Sequence, residues 1–325
     1  MTHSADPKTI KLSQEKRMFS QLNINLTTMT PLAGLAKRII DSIRSILDEL
    51  KPFSQEYLDC QEAWTIPHLP FPYPVKYNDD AMKLIAEKVL TGKARIFGVS
   101  DWDAVGKGKN GKTAFVRIRV LCERFPTTHE FGYSISMHFH PEISEILYKH
   151  GIVSKIEELA CAVSAEYGWI DFHGFDFGSS LWTNIMTVTK RVHFPEEHDL
   201  TGLIPCVAWW TLLSEQHISR LGGKDAVIRQ APCYAVHDLS TGDSELLGLQ
   251  ITSNPTDMDD SHYRTMYDYL KPVIPPVNVY ALAVQLKGCR IPGNQFQLIA
   301  TEEELEQARS LLALPTKELS EKAME

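Results

Sequence analysis

The sequence predicts an α+β fold in which helices pack on a mostly antiparallel sheet. Three observations support this class: an amphipathic helical repeat near the N-terminus, two runs of alternating apolar and polar residues in the middle, and a similar order of short helices and strands in the second half. The 325 residues are 43% hydrophobic and 23% charged, so the chain can bury a sizeable core.

The length predicts roughly two domains, at about 150 residues each. We assign residues 1–76 to an N-terminal helix with a proline-rich lead-in and residues 77–200 to an α/β half. Residues 201–325 form a second α/β half that ends in a helix. The two halves have a similar order of elements, although no residue-level repeat establishes them as copies.

The first half begins with an amphipathic helix over 31–51. Thr30 and Pro31 are residue types of an N-cap and a first helical position, and leucine and isoleucine then recur at helical spacing. Four prolines between 66 and 76 predict an extended linker, because proline fixes the backbone and donates no hydrogen bond. A second helix is expected over 79–90.

Residues 114–121 and 131–140 alternate apolar and polar side chains, which predicts two antiparallel strands with one buried face. A helix over 153–166 should lead to a short strand over 169–173. The second half then predicts, in order, a strand over 204–213, helices over 214–222 and 224–231, strands over 233–239 and 244–252, a helix over 261–271, a final strand over 278–287 and a helix capped by Thr301.

Charge and cysteine usage narrow the functional classes. With 33 basic and 41 acidic residues the net charge is −8, so most of the surface repels nucleic acid and anionic membranes and favours a basic protein partner. No stretch has the length and apolarity of a membrane span or a signal peptide. None of the six cysteines forms a C-x-x-C pair, which indicates reduced thiols in a cytoplasmic protein.

The segment GKGKNGKT over 106–113 matches the nucleotide-binding pattern G-x-x-x-x-G-K-[ST]. A P-loop needs a helix directly after it, because the helix N-terminus supplies amides to the phosphates. Here the following residues alternate as a strand and are rich in β-branched side chains. We therefore predict a loop between two strands, with no bound nucleotide.

Histidines and aspartates in the middle of the chain raise the possibility of catalysis. His138 and His140 lie two apart on a predicted strand and so on one face, as metal ligands require, and His173 could complete such a site. Asp171 and Asp176 flank His173 and could serve acid–base chemistry. No further ligand spacing or nucleophile motif accompanies them. We predict no catalytic, metal-binding or cofactor-binding residue, and a metal-dependent enzyme using His138, His140 and Asp171 is the alternative.

Residues 204–276 carry a specific order of hydrophobic and glycine positions. The pattern runs Ile204-Pro-Cys-Val-Ala-Trp-Trp, Leu213, His217, Ile218, Leu221-Gly222-Gly223, Ala231-Pro-Cys-Tyr, Thr241-Gly242, Leu249-Gln-Ile-Thr, Pro255 and Tyr269-Leu270-Lys271-Pro272. In this order it resembles the C-terminal half of bacterial immunity proteins that protect cells from type VI secretion system (T6SS) effectors. It is similar in particular to those paired with nuclease toxins of the restriction-endonuclease fold.

The resemblance implies a protein without chemistry of its own, which binds a cognate toxin and neutralises it. If the toxin is a DNase, its DNA-binding surface is basic, and an acidic inhibitor associates with it rapidly. No direct contact with nucleic acid or a membrane is expected. The expected partner contacts are acidic and aromatic loop residues: Asp101, Trp102, Asp103, Asp257, Asp259 and Asp260.

Overall fold

A computed structural model describes residues 21–50, 62–66, 73–100, 116–122, 133–172, 204, 207–242, 244–274, 276–288 and 300–324. The strands are β1 (Leu22–Thr28), β2 (Glu62–Ile66), β3 (Tyr73–Lys76), β4 (Ile96–Ser100), β5 (Val116–Leu121), β6 (Tyr133–Phe139), β7 (Tyr167–Asp171), β8 (Trp210–Ser214), β9 (Ala235–Asp238) and β10 (Leu246–Gln250). The α-helices are α1 (Ala36–Asp48), α2 (Asp79–Leu90), α3 (Pro141–Lys149), α4 (Ile152–Ala162), α5 (Glu215–Arg220), α6 (Lys224–Gln230), α7 (Asp260–Leu270), α8 (Val279–Gly288), α9 (Glu302–Ser310) and α10 (Thr316–Met324).

The ten described strands form one sheet in the order β3-β2-β4-β5-β6-β1-β7-β8-β10-β9. Every neighbouring pair is antiparallel. The predicted α+β class with a mostly antiparallel sheet is therefore confirmed. Segments 1–76, 77–200 and 201–325 all contribute strands to this sheet.

Strand β1 lies at the centre of the sheet, although the sequence analysis did not predict it. It pairs with β6 on one side and with β7 on the other. Leu22, Ile24 and Leu26 are buried on one face, and this period-two alternation was the available signal. β1 thus lies between two strands that both come from residues 77–200, and β7 pairs in turn with β8 of the second half.

The buried face of β1 belongs to a continuous hydrophobic core. Helix α1 buries Ile39, Ile43 and Ile46 in that core and contacts both α2 and α4. Burying one such side chain stabilises a fold by about 1.5–3 kcal/mol. The amphipathic pattern predicted for residues 31–51 is the source of this packing, although a 3₁₀ turn over 32–35 precedes the α-helix.

The prediction of a final strand over 278–287 was wrong, because these residues form helix α8. The Asn278 side chain accepts hydrogen bonds from the backbone N–H groups of Tyr280 (3.1 Å) and Ala281 (3.2 Å) and so caps the helix. In a short run of apolar residues the hydrophobic pattern is the same for a buried helix and a buried strand, so the sequence pattern cannot distinguish them. Contacts of α8 with α9 and α10 favour the helix.

The proline-rich segment and the strand expected over 204–213 also differ from expectation. The expected extended linker over 66–76 includes β3, in which Pro74 pairs opposite Trp64 at the edge of the described sheet, a position where proline's missing N–H is tolerated. The strand expected over 204–213 begins only at Trp210, and both Trp209 and Trp210 are fully buried.

Candidate partner-binding surface

The segment between β10 and α7 folds around its own polar side chains. Asn254 caps a short 3₁₀ turn over Pro255–Asp257 by accepting a hydrogen bond from the Thr256 N–H at 3.1 Å. Asp259 caps α7 by accepting one from the His262 N–H at 2.9 Å. The acidic loop anticipated from the sequence therefore consists of a capped 3₁₀ turn followed by the capped first turn of α7, and its backbone is well defined.

Two long-range hydrogen bonds and one local one hold the backbone of this segment. The Tyr148 hydroxyl donates to the Ser253 carbonyl oxygen at 3.0 Å. The Trp209 indole N–H donates to the Thr252 carbonyl oxygen at 3.1 Å, and the Gln250 amide donates to the same oxygen at 2.9 Å. The loop thus has little conformational freedom to lose when a partner binds, which favours affinity.

An aromatic cluster lies beneath the loop. The rings of Tyr148, Phe172 and Trp209 meet edge to face, with centroids 5.3 Å apart for Tyr148–Phe172, 5.9 Å for Tyr148–Trp209 and 5.3 Å for Phe172–Trp209. Trp209 is fully buried, while Tyr148 is half-buried and reaches the surface. The packed rings hold the Tyr148 hydroxyl in place against the loop backbone.

Two exposed side chains complete the surface. Burial raises the pKa of Tyr148, and the nearby Asp257 carboxylate and Tyr234 phenol raise it further. Asp257 is exposed, and Tyr234, at 66%, has the most exposed large hydrophobic side chain of the described residues. We call Tyr148, Tyr234, Ser253 and Asp257 the acidic–aromatic surface.

The other two predicted acidic contacts have different environments. Asp259 caps α7, and hydrogen bonds from the His262 N–H and the Ser261 hydroxyl lower its pKa to about 2. Its carboxylate is therefore ionised at neutral pH and remains largely exposed. Asp260 is the first residue of α7, and its side chain lies outside the described residues.

The remaining predicted contacts, Asp101, Trp102 and Asp103, lie outside the described residues, as does the glycine-rich segment 106–113. The sequence analysis did not select Tyr148 or Tyr234. Tyr148 lies in α3 and contacts Ser253, which is 105 residues later in the chain. A pattern of neighbouring residues cannot predict such a distant contact. The Ala231-Pro-Cys-Tyr turn was the available signal for Tyr234.

Two residues of the alternative enzyme hypothesis, His138 and Asp171, lie in strands of the sheet, and His140 directly follows β6. Asn23 in β1 pairs with His138 in β6 on one side and with Asp171 in β7 on the other, so one strand separates the two. The Asn23 amide nitrogen donates to the Gln21 carbonyl, so its oxygen accepts from His138 Nδ1 at 2.8 Å. Burial and Arg117 lower the pKa of His138 to about 4.

Asp171 and His140 contribute to local structure. Asp171 is buried and accepts a hydrogen bond from the Tyr263 hydroxyl at 3.2 Å. The His140 carbonyl accepts from the Ile143 and Ser144 N–H groups at the start of α3. Within the described ranges no three His, Cys, Asp or Glu side chains are grouped as metal ligands, while His173 and Asp176 lie outside those ranges.

Comparison with known proteins gives one informative likeness. No family model and no curated protein matches this chain. Among solved structures, the Pseudomonas aeruginosa T6SS protein PA0821 is similar, with a TM-score of 0.53 over 94% of this chain and 95% of that chain. The identity is 13%, so the likeness shows a shared fold alone.

The described helices give no indication of membrane insertion. None of them combines the length and the apolar character needed to cross a bilayer.

Proposed function

We propose that this chain is an immunity protein of a bacterial T6SS, which binds a cognate toxin and neutralises it in the cytoplasm of the producing cell. The acidic–aromatic surface carries the proposal. It presents Asp257 on a loop whose backbone is held by hydrogen bonds from Tyr148, Trp209 and Gln250, and it adds the exposed ring of Tyr234 from the turn before β9. Exposed aromatic anchors on preorganised backbone are typical of tight protein interfaces.

Two further observations support the proposal. The fold is shared along nearly the whole chain with PA0821, a protein described as belonging to a T6SS. The resemblance of residues 204–276 to immunity proteins covers β8, β9, β10 and the loop that carries Asp257.

The expected partner is a nuclease, and a DNase in particular. A surface that binds DNA is basic, and a net charge of −8 on the inhibitor accelerates association with such a surface. Asp257 places negative charge beside Tyr148, and Asp259 adds a second carboxylate two residues later in the chain. In this scheme the tyrosines supply contact area and the aspartates direct the approach.

The proposed mode of action is occlusion of the toxin's active site or stabilisation of an inactive state. Neither mode requires catalysis, a cofactor or a metal in the inhibitor. Asp101, Trp102, Asp103 and Asp260 remain proposed contacts that extend the interface.

Co-expression with the toxin encoded beside this chain tests the proposal. We expect the two proteins to co-purify as a stoichiometric complex and the chain to restore growth of cells that produce the toxin. A toxin inactivated at its catalytic residue is the control for complex formation, because it removes toxicity without removing the binding surface. If the pair neither co-purifies nor gives protection, the proposed function is wrong.

A further inference from the structure

A carboxylate and an imidazole face each other where α4 packs on the last strands of the sheet. Glu157 Oε1 in α4 lies 2.7 Å from His237 Nδ1 in β9, and the two side chains are only 13% and 29% exposed. Glu157 Oε1 makes no linear hydrogen bond, so its interaction with the imidazole is chiefly electrostatic. A carboxylate this poorly hydrated needs a compensating positive charge or a proton.

The second imidazole nitrogen has a fixed role. The Gln250 side-chain nitrogen donates to the carbonyl oxygens of Thr252 at 2.9 Å and Ser253 at 3.3 Å. This orients the Gln250 amide oxygen toward His237 Nε2, at 3.1 Å. An amide oxygen only accepts hydrogen bonds, so Nε2 must carry a proton.

With Nε2 protonated, a neutral His237 would place an unprotonated, electron-rich Nδ1 only 2.7 Å from an oxygen of an ionised Glu157. Two arrangements avoid this repulsion. Either Nδ1 also carries a proton and the imidazolium faces a carboxylate, or the Glu157 carboxyl itself carries the proton and is neutral. Each arrangement contains one proton more than a neutral histidine beside a free carboxylate.

We propose that the folded protein keeps one proton shared between Glu157 and His237 at neutral pH, and that this proton joins α4, β9 and β10 in a pH-sensitive clamp. Through Gln250 the clamp also reaches the backbone of Thr252 and Ser253. The inference does not depend on the proposed function.

The charges around the pair are compatible with a retained proton. Burial raises the pKa of Glu157, opposed by His237 and the Trp210 indole. Glu158 and Cys161 are the other titratable groups near Glu157 on α4, and the Cys161 thiol donates to the Leu239 carbonyl. On β9, Asp238 is paired with Lys224 of α6 at 2.8 Å. Strands β8 and β10 carry no titratable side chain.

The clamp makes stability depend on pH in a defined direction. In the unfolded chain a histidine loses its proton near pH 6.5, about the ordinary value. The folded pair keeps its proton above that pH, so the folded state binds one proton more than the unfolded state. The equilibrium constant for folding should therefore fall about tenfold per pH unit above roughly 6.5, until the folded pair releases its proton.

Denaturant unfolding of the full chain at pH 6, 7, 8 and 9 tests this dependence. Glu157→Gln is the informative variant, because a neutral amide beside a neutral His237 needs no additional proton. We expect the free energy of unfolding of the wild type to fall as the pH rises. In Glu157→Gln the slope of this fall should correspond to about one proton fewer. Glu158→Gln, an exposed change one residue away, is the matched control and should retain the wild-type slope.

Nitrogen-15 NMR of the imidazole at pH 7.5 provides a second measurement that needs no variant. We expect either two protonated nitrogens in His237, or a neutral ring together with the carbon-13 signal of a protonated Glu157 carboxyl. A neutral ring beside an ionised Glu157 would overturn the proposal, as would equal slopes in wild type and Glu157→Gln. Loss of toxin binding would bear on the proposed function alone.

Discussion

The indole ring of Trp210 in β8 lies directly against Gly248 in β10, and a Cβ atom added to Gly248 would come within 2.7 Å of Trp210 Cζ2. Trp210 is fully buried, so the ring cannot move into solvent. The glycine is required by this close approach and not by a left-handed backbone, since its φ is not positive.

Gly248→Ala should therefore destabilise the protein by about 1–3 kcal/mol, because the core is overpacked at a ring that cannot withdraw. Urea unfolding measures the change. Gly34→Ala is the control, since an added Cβ meets nothing within 4 Å and the backbone is not in the left-handed region. Equal stability of the two variants would show that the contact can relax at no cost.

Tyr234→Ala should weaken toxin binding by about 2 kcal/mol or more and act mainly on dissociation, as expected for an aromatic anchor. Surface plasmon resonance with the purified toxin measures both rates. Leu90→Ala removes a side chain of similar exposure (60%) from α2, which packs on β2 and β4 at the other end of the sheet. It should leave both rates unchanged, and an equal effect of the two variants would argue against the surface.

Asp257→Asn should mainly slow association, and the difference from wild type should shrink as salt is added, because long-range attraction is screened. The side chain is exposed and its backbone is fixed by the Asn254 cap, so the change leaves the loop intact. Stopped-flow association at low and high ionic strength is the measurement. An association rate that does not respond to either change would contradict a steering role.

His138 should titrate with a midpoint near pH 4, because burial and Arg117 lower its pKa to about 4 from the ordinary value near 6.5. The unfolded chain takes up this proton first. The contribution to stability is thus complete above about pH 6.5 and is lost as the pH falls toward 4. The Cε1 proton shift of His138, assigned by its absence in His138→Asn, reports the midpoint. A midpoint near 6.5 would contradict the burial of the imidazole.

Cys122 should be inert toward thiol reagents at pH 8, because burial raises its pKa to about 12 and the thiolate is the reactive species. Alkylation of the native protein followed by peptide mass spectrometry gives the modified positions. Cys122 should become labelled only after denaturant is added. Rapid labelling in the native state would show that β5 and its surroundings open frequently.

The sequence by itself determined most of the local structure. Helix α2 has the predicted bounds of 79–90, and Thr301 caps α9 by accepting from the Glu304 N–H while the Glu304 side chain accepts from the Thr301 N–H. Helix caps and hydrophobic periodicity depend on residues only a few positions apart, so they can be recognised from the sequence alone.

Only the tertiary structure decided which strands are neighbours and which side chains meet. The order of the sheet places β1 between β6 and β7, and packing turned the apolar run after Asn278 into a helix. Tyr148 reaches Ser253, and Glu157 meets His237, across long stretches of chain. Such contacts form because entire faces of helices and strands are buried against one another. The pattern of a few neighbouring residues shows which face of an element is apolar, but not which other element covers it.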